Sequence, residues 1–406
     1  MEYDAVIIGT GRVGLPLGLS LAKNGLKVTG IDINEEMIEK VNNKEMPFKE
    51  KGYEEVIKKV NFEISSSYLV IKNCKNIIIT VGTPLAQHIE IDLQFIKNVI
   101  NKLIQFLEPN HNIILRSTIA PNTTEYIKNY IEKETDFIVG KDIFLSFCPE
   151  RIAEGKALEE LEKLPQIIGA YDNESFNRAK NVFKVLVKDI IQVTPIEAEL
   201  IKLFCNATRY MQFSVVNYLA IIADNFNTDI HKLLEIINKD YPRPIYGKVG
   251  FCAGTCLRKD YGMLNEYVPY SDMLISAYKI NEFMPKFLVD STKKYTEIKN
   301  KNVAVLGYAF KRNSDDTRDS LSPKLVRYLE REVPQNIYIN DPYVSTLENN
   351  IGIKDFINKT DIVYIVVNHD LYEKYFDNIY DSAKKETLFV DLWNVSKKNK
   401  IFFTKE

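Results

Sequence analysis

Four residues near the middle of the chain have side chains suited to chemistry at an alcohol or carbonyl carbon. Cys256 and Asp260 lie in "GTCLRKD" (254–260), and Lys202 and Asn206 lie in "EAELIKLFCNATR" (197–209). A thiol attacks carbon only as its thiolate, which needs an electropositive setting. Without one, a free cysteine packs as a small hydrophobe. Lys202 and Asn206 are four residues apart and so share one face of a helix, with Arg209 three further on beside them. Alone, Lys-x3-Asn reads as a solvated basic edge. Beside an alcohol carbon, the same ammonium would stabilise a developing alkoxide or place a water. On these residues, packing and catalysis are both open readings for Cys256.

The next pattern is "GTGRVG", with Gly9, Gly11 and Gly14 at G-x-G-x-x-G spacing and Arg12 and Val13 between them. Glycine-rich turns are frequent, so the context decides. This one follows an apolar strand, opens the helical "LPLGLSLAKNG" and lies in the first βαβ unit. The glycines would permit a tight turn, close approach of a pyrophosphate and close helix–strand packing. Asp32 ends the following strand about 20 residues on, where a carboxylate accepts from ribose hydroxyls. It would repel a 2′-phosphate, so NAD is expected rather than NADP. A solvated strand-end acid is the plainer reading of Asp32.

These groups must be positioned by a scaffold, and the apolar runs predict one. Strands are expected at 3–9, 27–32, 76–81, 112–117 and 143–147, each followed by turn residues or a helix, which is the pattern of a parallel sheet. A second series is expected at 301–310, 336–341, 361–367 and 387–391, its second strand ending in Asp341 as the first series ends in Asp32. Between them "TPIE" reads as a helix start. Thr194 would cap, Pro195 would take the first helical position, and Glu197 would complete a capping box. The expected fold is therefore α/β: two Rossmann-like doubly wound domains joined by a long central helix and a helical dimerisation region. The expected boundaries are 1–193, 194–295 and 296–406. The surplus apolar surface of the long helix points to a homodimer.

The chain has 406 residues, 45% hydrophobic and 27% charged, with a formal net charge of −2. Neither nucleic acid nor an anionic membrane is an expected partner at that charge. No stretch reaches the roughly 18 apolar residues of a membrane span, and "MEYDAVIIGTG" has no basic leader. Five cysteines without framework spacing fit a reducing cytoplasm. Cys252 and Cys256 form a C-x3-C pair, but no second pair at zinc spacing accompanies them, so no metal is expected.

With these motifs in order, nearly the whole chain resembles the nucleotide-sugar 6-dehydrogenases, which oxidise UDP-glucose, GDP-mannose or UDP-N-acetylhexosamines. The matching segments are "GTGRVGLPL", "VGTPL" (81–85) with a later "DL" (92–93), "RSTIAPNTT" (116–124) and "CPERIAEG" (148–155). They continue with "EAELIKLFCNATR", "GTCLRKD", "AFKRNSDDTRDS" (309–320) and "NDPYV" (340–344). The resemblance implies that a sugar CH2OH becomes a carboxylate in one site at the cost of two NAD+. The intermediate aldehyde would be captured by Cys256 as a thiohemiacetal, oxidised to a thioester and hydrolysed. Lys202, Asn206 and Asp260 would serve the reacting oxygen and the water, and Thr118 and Glu150 match positions near the reacting carbon. Thr83 and Thr118 would join the cofactor site, and Arg318 would reach the NAD of a neighbouring subunit. Phe310 and Lys311 would contact the UDP-sugar.

The arginines bear on which sugar. Arg151 in "PER", Arg209 in "CNATR" and Arg243 in "YPRP" resemble the UDP-N-acetylmannosamine and UDP-N-acetylglucosamine branch, where a guanidinium fork suits an acetamido carbonyl or a diphosphate. Ile152, Tyr241 and Ala253 would line the same substrate site. Phe251 and Ala253 replace glycines usual in the family, Tyr261 replaces a frequent proline, and Arg12 replaces an aromatic residue. These departures bear on the substrate and leave the reaction class alone. UDP-glucose is the alternative substrate. A two-electron hydroxyacid dehydrogenase would need neither Cys256 nor the C-terminal domain, and a non-catalytic nucleotide-sugar-binding protein would not need the Cys256, Lys202, Asn206 and Asp260 set.

Overall fold

A computed structural model describes residues 2–83, 93–265, 267, 272–348 and 350–405, excluding the side chains of Thr255, Cys256, Tyr261 and Asn265. The chain divides into two compact units, Met1–Cys205 with Gly262–Glu266 and Asn206–Tyr261 with Tyr267–Glu406. The division falls inside the central helix, Pro195–Asn225.

The first unit is built on strands β1 (Tyr3–Ile8), β2 (Val28–Ile31), β3 (Ile64–Ser65), β4 (Cys74–Ile79), β5 (Asn112–Leu115), β6 (Phe144–Phe147), β7 (Gln166–Ala170) and β8 (Ile190–Val193). Their order among the described residues is β3-β2-β1-β4-β5-β6-β7-β8, parallel except where β7 runs against β6. Strand side chains alternate between faces. Ala5 and Ile7 of β1 join a core with Leu15, Leu17, Leu19 and Leu21 of the helix Gly14–Lys23. Val6 and Ile8 join a second core, on which Ile96, Ile100 and Leu103 of the helix Gln94–Ile104 pack. Apolar burial on both faces is what a parallel sheet requires. The five strands expected from sequence are present; β3, β7 and β8 were not expected, and β7 departs from the parallel pattern.

The second unit carries β9 (Asn302–Leu306), β10 (Asn336–Asn340), β11 (Ile362–Ile365), β12 (Leu388–Asp391) and β13 (Phe402–Thr404). The order is β10-β9-β11-β12-β13, with β13 antiparallel. Val303 and Val305 pack with Met284 and Leu288 of the helix Asp272–Thr292 and with Leu325 and Leu329 of the helix Ser322–Glu330. Ala304 and Leu306 face Phe356, Tyr372 and Phe376 on the other side. Two α/β units with parallel-dominated sheets and a long central helix are thus the fold.

The central helix starts as its sequence dictates. Thr194 N–H donates to Glu197 Oε2 at 2.8 Å, and Glu197 N–H donates back to Thr194 Oγ1 at 3.4 Å, so each side chain satisfies a donor the helix leaves over. No described helix is long and apolar enough to cross a membrane.

Candidate active site

In the first unit the three glycines have three different physical reasons. Gly9 has φ +90°, a backbone conformation that side chains disfavour, and makes the turn out of β1. A Cβ on Gly14 would stand 2.0 Å from Gly9 O, so only glycine lets the helix Gly14–Lys23 come this close to the strand. A Cβ on Gly11 would meet nothing within 4 Å, which leaves open space over its backbone. Val13, at the helix N-cap, provides no side-chain cap, and the first turn has no acidic residue. An uncapped helix N-terminus behind an open glycine suits a pyrophosphate. Arg12 stacks 5.0 Å over the Phe48 ring and pairs with Glu154 at 2.9 Å.

Asp32, half-buried beyond β2, accepts from Thr10 N–H at 2.7 Å and Thr10 Oγ1 at 3.0 Å through Oδ2, and from Asn34 N–H at 3.0 Å through Oδ1. Its carboxylate is therefore aimed by the turn it serves, and lone pairs remain on Oδ1 for a hydroxyl donor. These residues fit NAD. The adenosine ribose would meet Asp32, and the pyrophosphate would meet the Gly11–Gly14 turn.

Thr83 donates from Oγ1 to the Thr118 carbonyl at 2.5 Å, bringing two expected cofactor residues together. Pro84, Leu85 and Asp92 of the matching segment lie outside the described residues. Glu150 is held on both sides. Oε2 accepts from Arg116 Nε at 3.0 Å and Nη2 at 2.5 Å, while Oε1 accepts from Ile152 N–H at 2.6 Å. Arg116 is itself buried and also donates to Cys148 O and Gln166 Oε1. Such a charge-assisted fork fixes the carboxylate in place. Arg151 donates to Pro165 O at 2.5 Å.

Lys202 is 8% exposed and makes no hydrogen bond or ion pair to any described residue. A buried ammonium with no partner among the described residues is available to an external oxygen. One turn earlier, buried Glu199 accepts from Asn122 N–H at 2.7 Å and from Thr124 N–H at 2.8 Å and Oγ1 at 2.6 Å. Burial pushes the Glu199 carboxyl above its ordinary value, against the pull of those donors. The segment carrying Thr118 is thereby tied to the helix carrying Lys202. Neither Arg116 nor Glu199 was expected from sequence. Their only signals are a charged residue beside Thr118 and an acid on the apolar-flanked face preceding Lys202.

In the second unit Asn206 donates from Nδ2 to Asp260 Oδ2 at 2.5 Å, and Asp260 is fully buried. The segment before Cys256 is clamped by another buried amide. Asn217 Nδ2 donates to Gly250 O at 3.0 Å, and Gly250 N–H donates to Asn217 Oδ1 at 3.0 Å. The Trp393 ring lies where a Gly250 side chain would be, 2.3 Å from an added Cβ. Phe251 is buried in the same core and Ala253 packs against it, so these family departures are absorbed by packing. Buried Cys252 has its thiol pushed well up by desolvation, which makes it inert.

Gly254 has φ +95°, and the Phe310 ring covers it, with Cδ2 2.5 Å from an added Cβ. The helix Thr255–Asn265 begins at the next residue, placing Cys256 in its first turn, where a helix N-terminus favours a thiolate. The Cys256 side chain is outside the described set. Lys311 lies 5.7 Å over the Phe310 ring. Arg318 pairs with Asp316 at 2.6 Å, Arg243 stacks 5.2 Å over Tyr241 with both side chains exposed, and Arg209 is exposed. Within each unit, then, Thr83 meets Thr118, Glu150 meets Ile152, Asn206 meets Asp260, and Phe310 meets the turn before Cys256.

The domains of one family match this chain in three consecutive segments. Residues 4–187 match the NAD binding domain of the UDP-glucose/GDP-mannose dehydrogenase family, 196–282 its central domain, and 304–398 its UDP binding domain. The chain is 30% identical over 403 residues to a UDP-N-acetyl-D-mannosamine dehydrogenase from Methanocaldococcus jannaschii, covering 96% of this chain and 92% of that one. It is 28% identical over 410 residues to the enzyme of that name from Methanococcus vannielii, covering 97% and 93%. The structure of UDP-D-ManNAc dehydrogenase from Pyrococcus horikoshii superposes with a TM-score of 0.89 at 26% identity, covering 98% of this chain and 97% of that one. Together with the glycine turn and Asp32, these matches place the chain in the UDP-glucose/GDP-mannose dehydrogenase family, as an NAD-dependent dehydrogenase.

Proposed function

We propose that the protein oxidises C6 of UDP-N-acetyl-D-mannosamine from CH2OH to a carboxylate, through a thiohemiacetal and a thioester on Cys256. Relatives named for that substrate, similar over nearly the full length, support the sugar, as does the Arg151, Arg209 and Arg243 pattern. The observation that carries the reaction is Lys202, buried and without a hydrogen-bond or ion-pair partner among the described residues.

NAD, when bound, would supply the hydride acceptor for both oxidations. Lys202 donates to the C6 oxygen and stabilises it as its proton leaves. The Cys256 thiolate adds to the aldehyde carbon, forming the C–S bond, and the carbonyl oxygen takes up a proton. Loss of the second hydride and of that proton gives the thioester. Water then attacks the thioester carbon, the C–S bond breaks, and the sulfur leaves as thiolate. One alcohol, one water and two NAD+ thus give one carboxylate, two NADH and three protons. Asp260, oriented by Asn206, places the water. Glu150, fixed by Arg116, takes the role near the reacting carbon that its family position implies. Phe310 and Lys311 hold the UDP end, and Ile152, Tyr241 and Ala253 border the sugar.

A three-part division at 193/194 and 295/296, a cytoplasmic setting and a homodimer belong to the same proposal. Phe204, Val215 and Tyr218, all about half exposed on one face of the central helix, support the dimer, with Arg318 offered to the neighbouring NAD. The test is NADH formed per sugar consumed, with UDP-ManNAc, UDP-GlcNAc and UDP-glucose offered separately. Two NADH per UDP-ManNAc, and little turnover of the others, is the expected result. A faster rate with UDP-GlcNAc or UDP-glucose overturns the sugar assignment, and one NADH with accumulating aldehyde overturns the thioester route.

A further inference from the structure

The second unit contains a buried acid–imidazole pair that the reaction does not use. Asp341 follows β10 as Asp32 follows β2, but it is fully buried. Its Oδ2 accepts from Tyr308 N–H at 2.7 Å, from Ala309 N–H at 2.9 Å and from His369 Nε2 at 3.0 Å. Its Oδ1 accepts from Tyr343 N–H at 2.9 Å. Buried His369 accepts at Nδ1 from Asn313 N–H at 2.9 Å. With Nδ1 accepting from Asn313 N–H, the Nε2 hydrogen faces Asp341.

The pair therefore holds both ends of one loop. Asp341 takes the N–H groups of Tyr308 and Ala309, and His369 takes that of Asn313, whose φ of +58° is a conformation that must be held. Phe310, Lys311 and Arg312 lie between. Phe310 covers Gly254 at the start of the Cys256 helix, so displacing the loop also disturbs that turn. Exposed Asp370 also bonds to Arg312 and Asn313, but from the solvent side, where such contacts contribute little.

We propose that His369, acting through Asp341 and Asn313, is a positioning residue that sets the Phe310–Lys311 loop for the uridine diphosphate and holds the turn before Cys256. This rests on the proposed role of that loop in nucleotide-sugar binding.

The experiment measures the Kd for UDP by calorimetry, together with kcat and the two KM values, in the wild type, His369→Leu and His369→Gln. Glutamine can accept from Asn313 N–H through its amide oxygen and donate to Asp341 through its amide nitrogen; leucine can do neither. The expected result is that His369→Leu weakens UDP and raises the nucleotide-sugar KM at least about tenfold with the KM for NAD unchanged, while His369→Gln returns both to within about threefold. Wild-type UDP affinity in His369→Leu, or equal defects in the two variants, overturns the proposal alone. A wild type that does not bind UDP overturns the loop's assignment and the proposal with it. If His369→Leu does not fold, hydrogen exchange of the wild type decides: UDP should slow the amides of 308–313 and 254–256, and no change in either segment overturns the proposal.

Discussion

Asn206 donates to the fully buried carboxylate of Asp260 at 2.5 Å, joining the central helix to the helix that starts at Thr255. A carboxylate removed from water and held by a neutral amide is well placed to take a proton or orient a water. Asp260→Asn preserves the shape and removes the charge. Its kcat should fall about 100- to 10,000-fold, with both KM values within a few-fold of the wild type and the melting temperature little changed. Steady-state kinetics decides, and an unchanged kcat would remove Asp260 from the mechanism.

Asp32 is aimed by Thr10 and Asn34, so its role is distinct from that of Asp341 although both end a second strand. Asp32→Ala removes a charged acceptor for the ribose hydroxyls, a loss of about 1.5–3 kcal/mol or roughly 10- to 150-fold in the KM for NAD. The same change lifts the repulsion of a 2′-phosphate, so the ratio of NAD to NADP use should fall. Competition assays with both cofactors would show it; an unchanged ratio would mean that Asp32 does not face the ribose.

The second-unit acid gives a pH signature. Burial alone would raise the carboxyl of Asp341, but the hydrogen bond and charge attraction of His369, with hydrogen bonds from Ala309 and Tyr308, outweigh it and hold the group below its ordinary value of 3.8. Between the lowered folded value and 3.8 the unfolded chain binds more protons, so the stability Asp341 contributes is fully present above that window and disappears as pH falls through it. Asp341→Asn should cost about 3 kcal/mol near neutrality. Urea unfolding should show the gap between wild type and variant closing as pH falls below about 3.8. A gap of constant size down to pH 2 would contradict the ionised, hydrogen-bonded assignment.

What could be read from the sequence was what is local. The Gly9, Gly11 and Gly14 turn, Asp32 and the Thr194–Glu197 box act within one βαβ unit or one helical turn, and their spacing is their geometry. Strand β7 was missed because its antiparallel direction is set by pairing with β6, which no local pattern records. Arg116 and Glu150 are 34 residues apart, Asn217 and Gly250 are 33, and Asp341 and His369 are 28. The partner of each is set by the fold, across a separation that no local pattern records. The departures at Phe251 and Ala253 could not be valued from sequence either, since the core that receives them comes from β9, β11 and the helix Asp272–Thr292.

The exposed stripe on the central helix makes a prediction about assembly. Phe204, Val215 and Tyr218 are 53%, 53% and 52% exposed, which costs solubility unless the stripe is covered. Val215→Glu with Tyr218→Glu should convert a dimer to a monomer in light scattering without unfolding either unit. A wild type that is monomeric at micromolar concentration would refute the dimer.

Gly254 tests whether the loop and the cysteine turn are one structure. At φ +95° any Cβ is strained, and the Phe310 ring already occupies the space it would take. Gly254→Ala should therefore destabilise by about 1–3 kcal/mol, visible as a drop of several degrees in melting temperature, and should raise the nucleotide-sugar KM. Phe310→Ala alone loses packing. In the double variant the ring is gone, and only the backbone strain of Gly254→Ala remains, so the two losses should fall short of additivity by at least about 0.5 kcal/mol. The four melting curves of that cycle are the measurement. Strict additivity would mean that Phe310 does not rest on the turn, and the coupling between the UDP end and the cysteine would have to run through other residues.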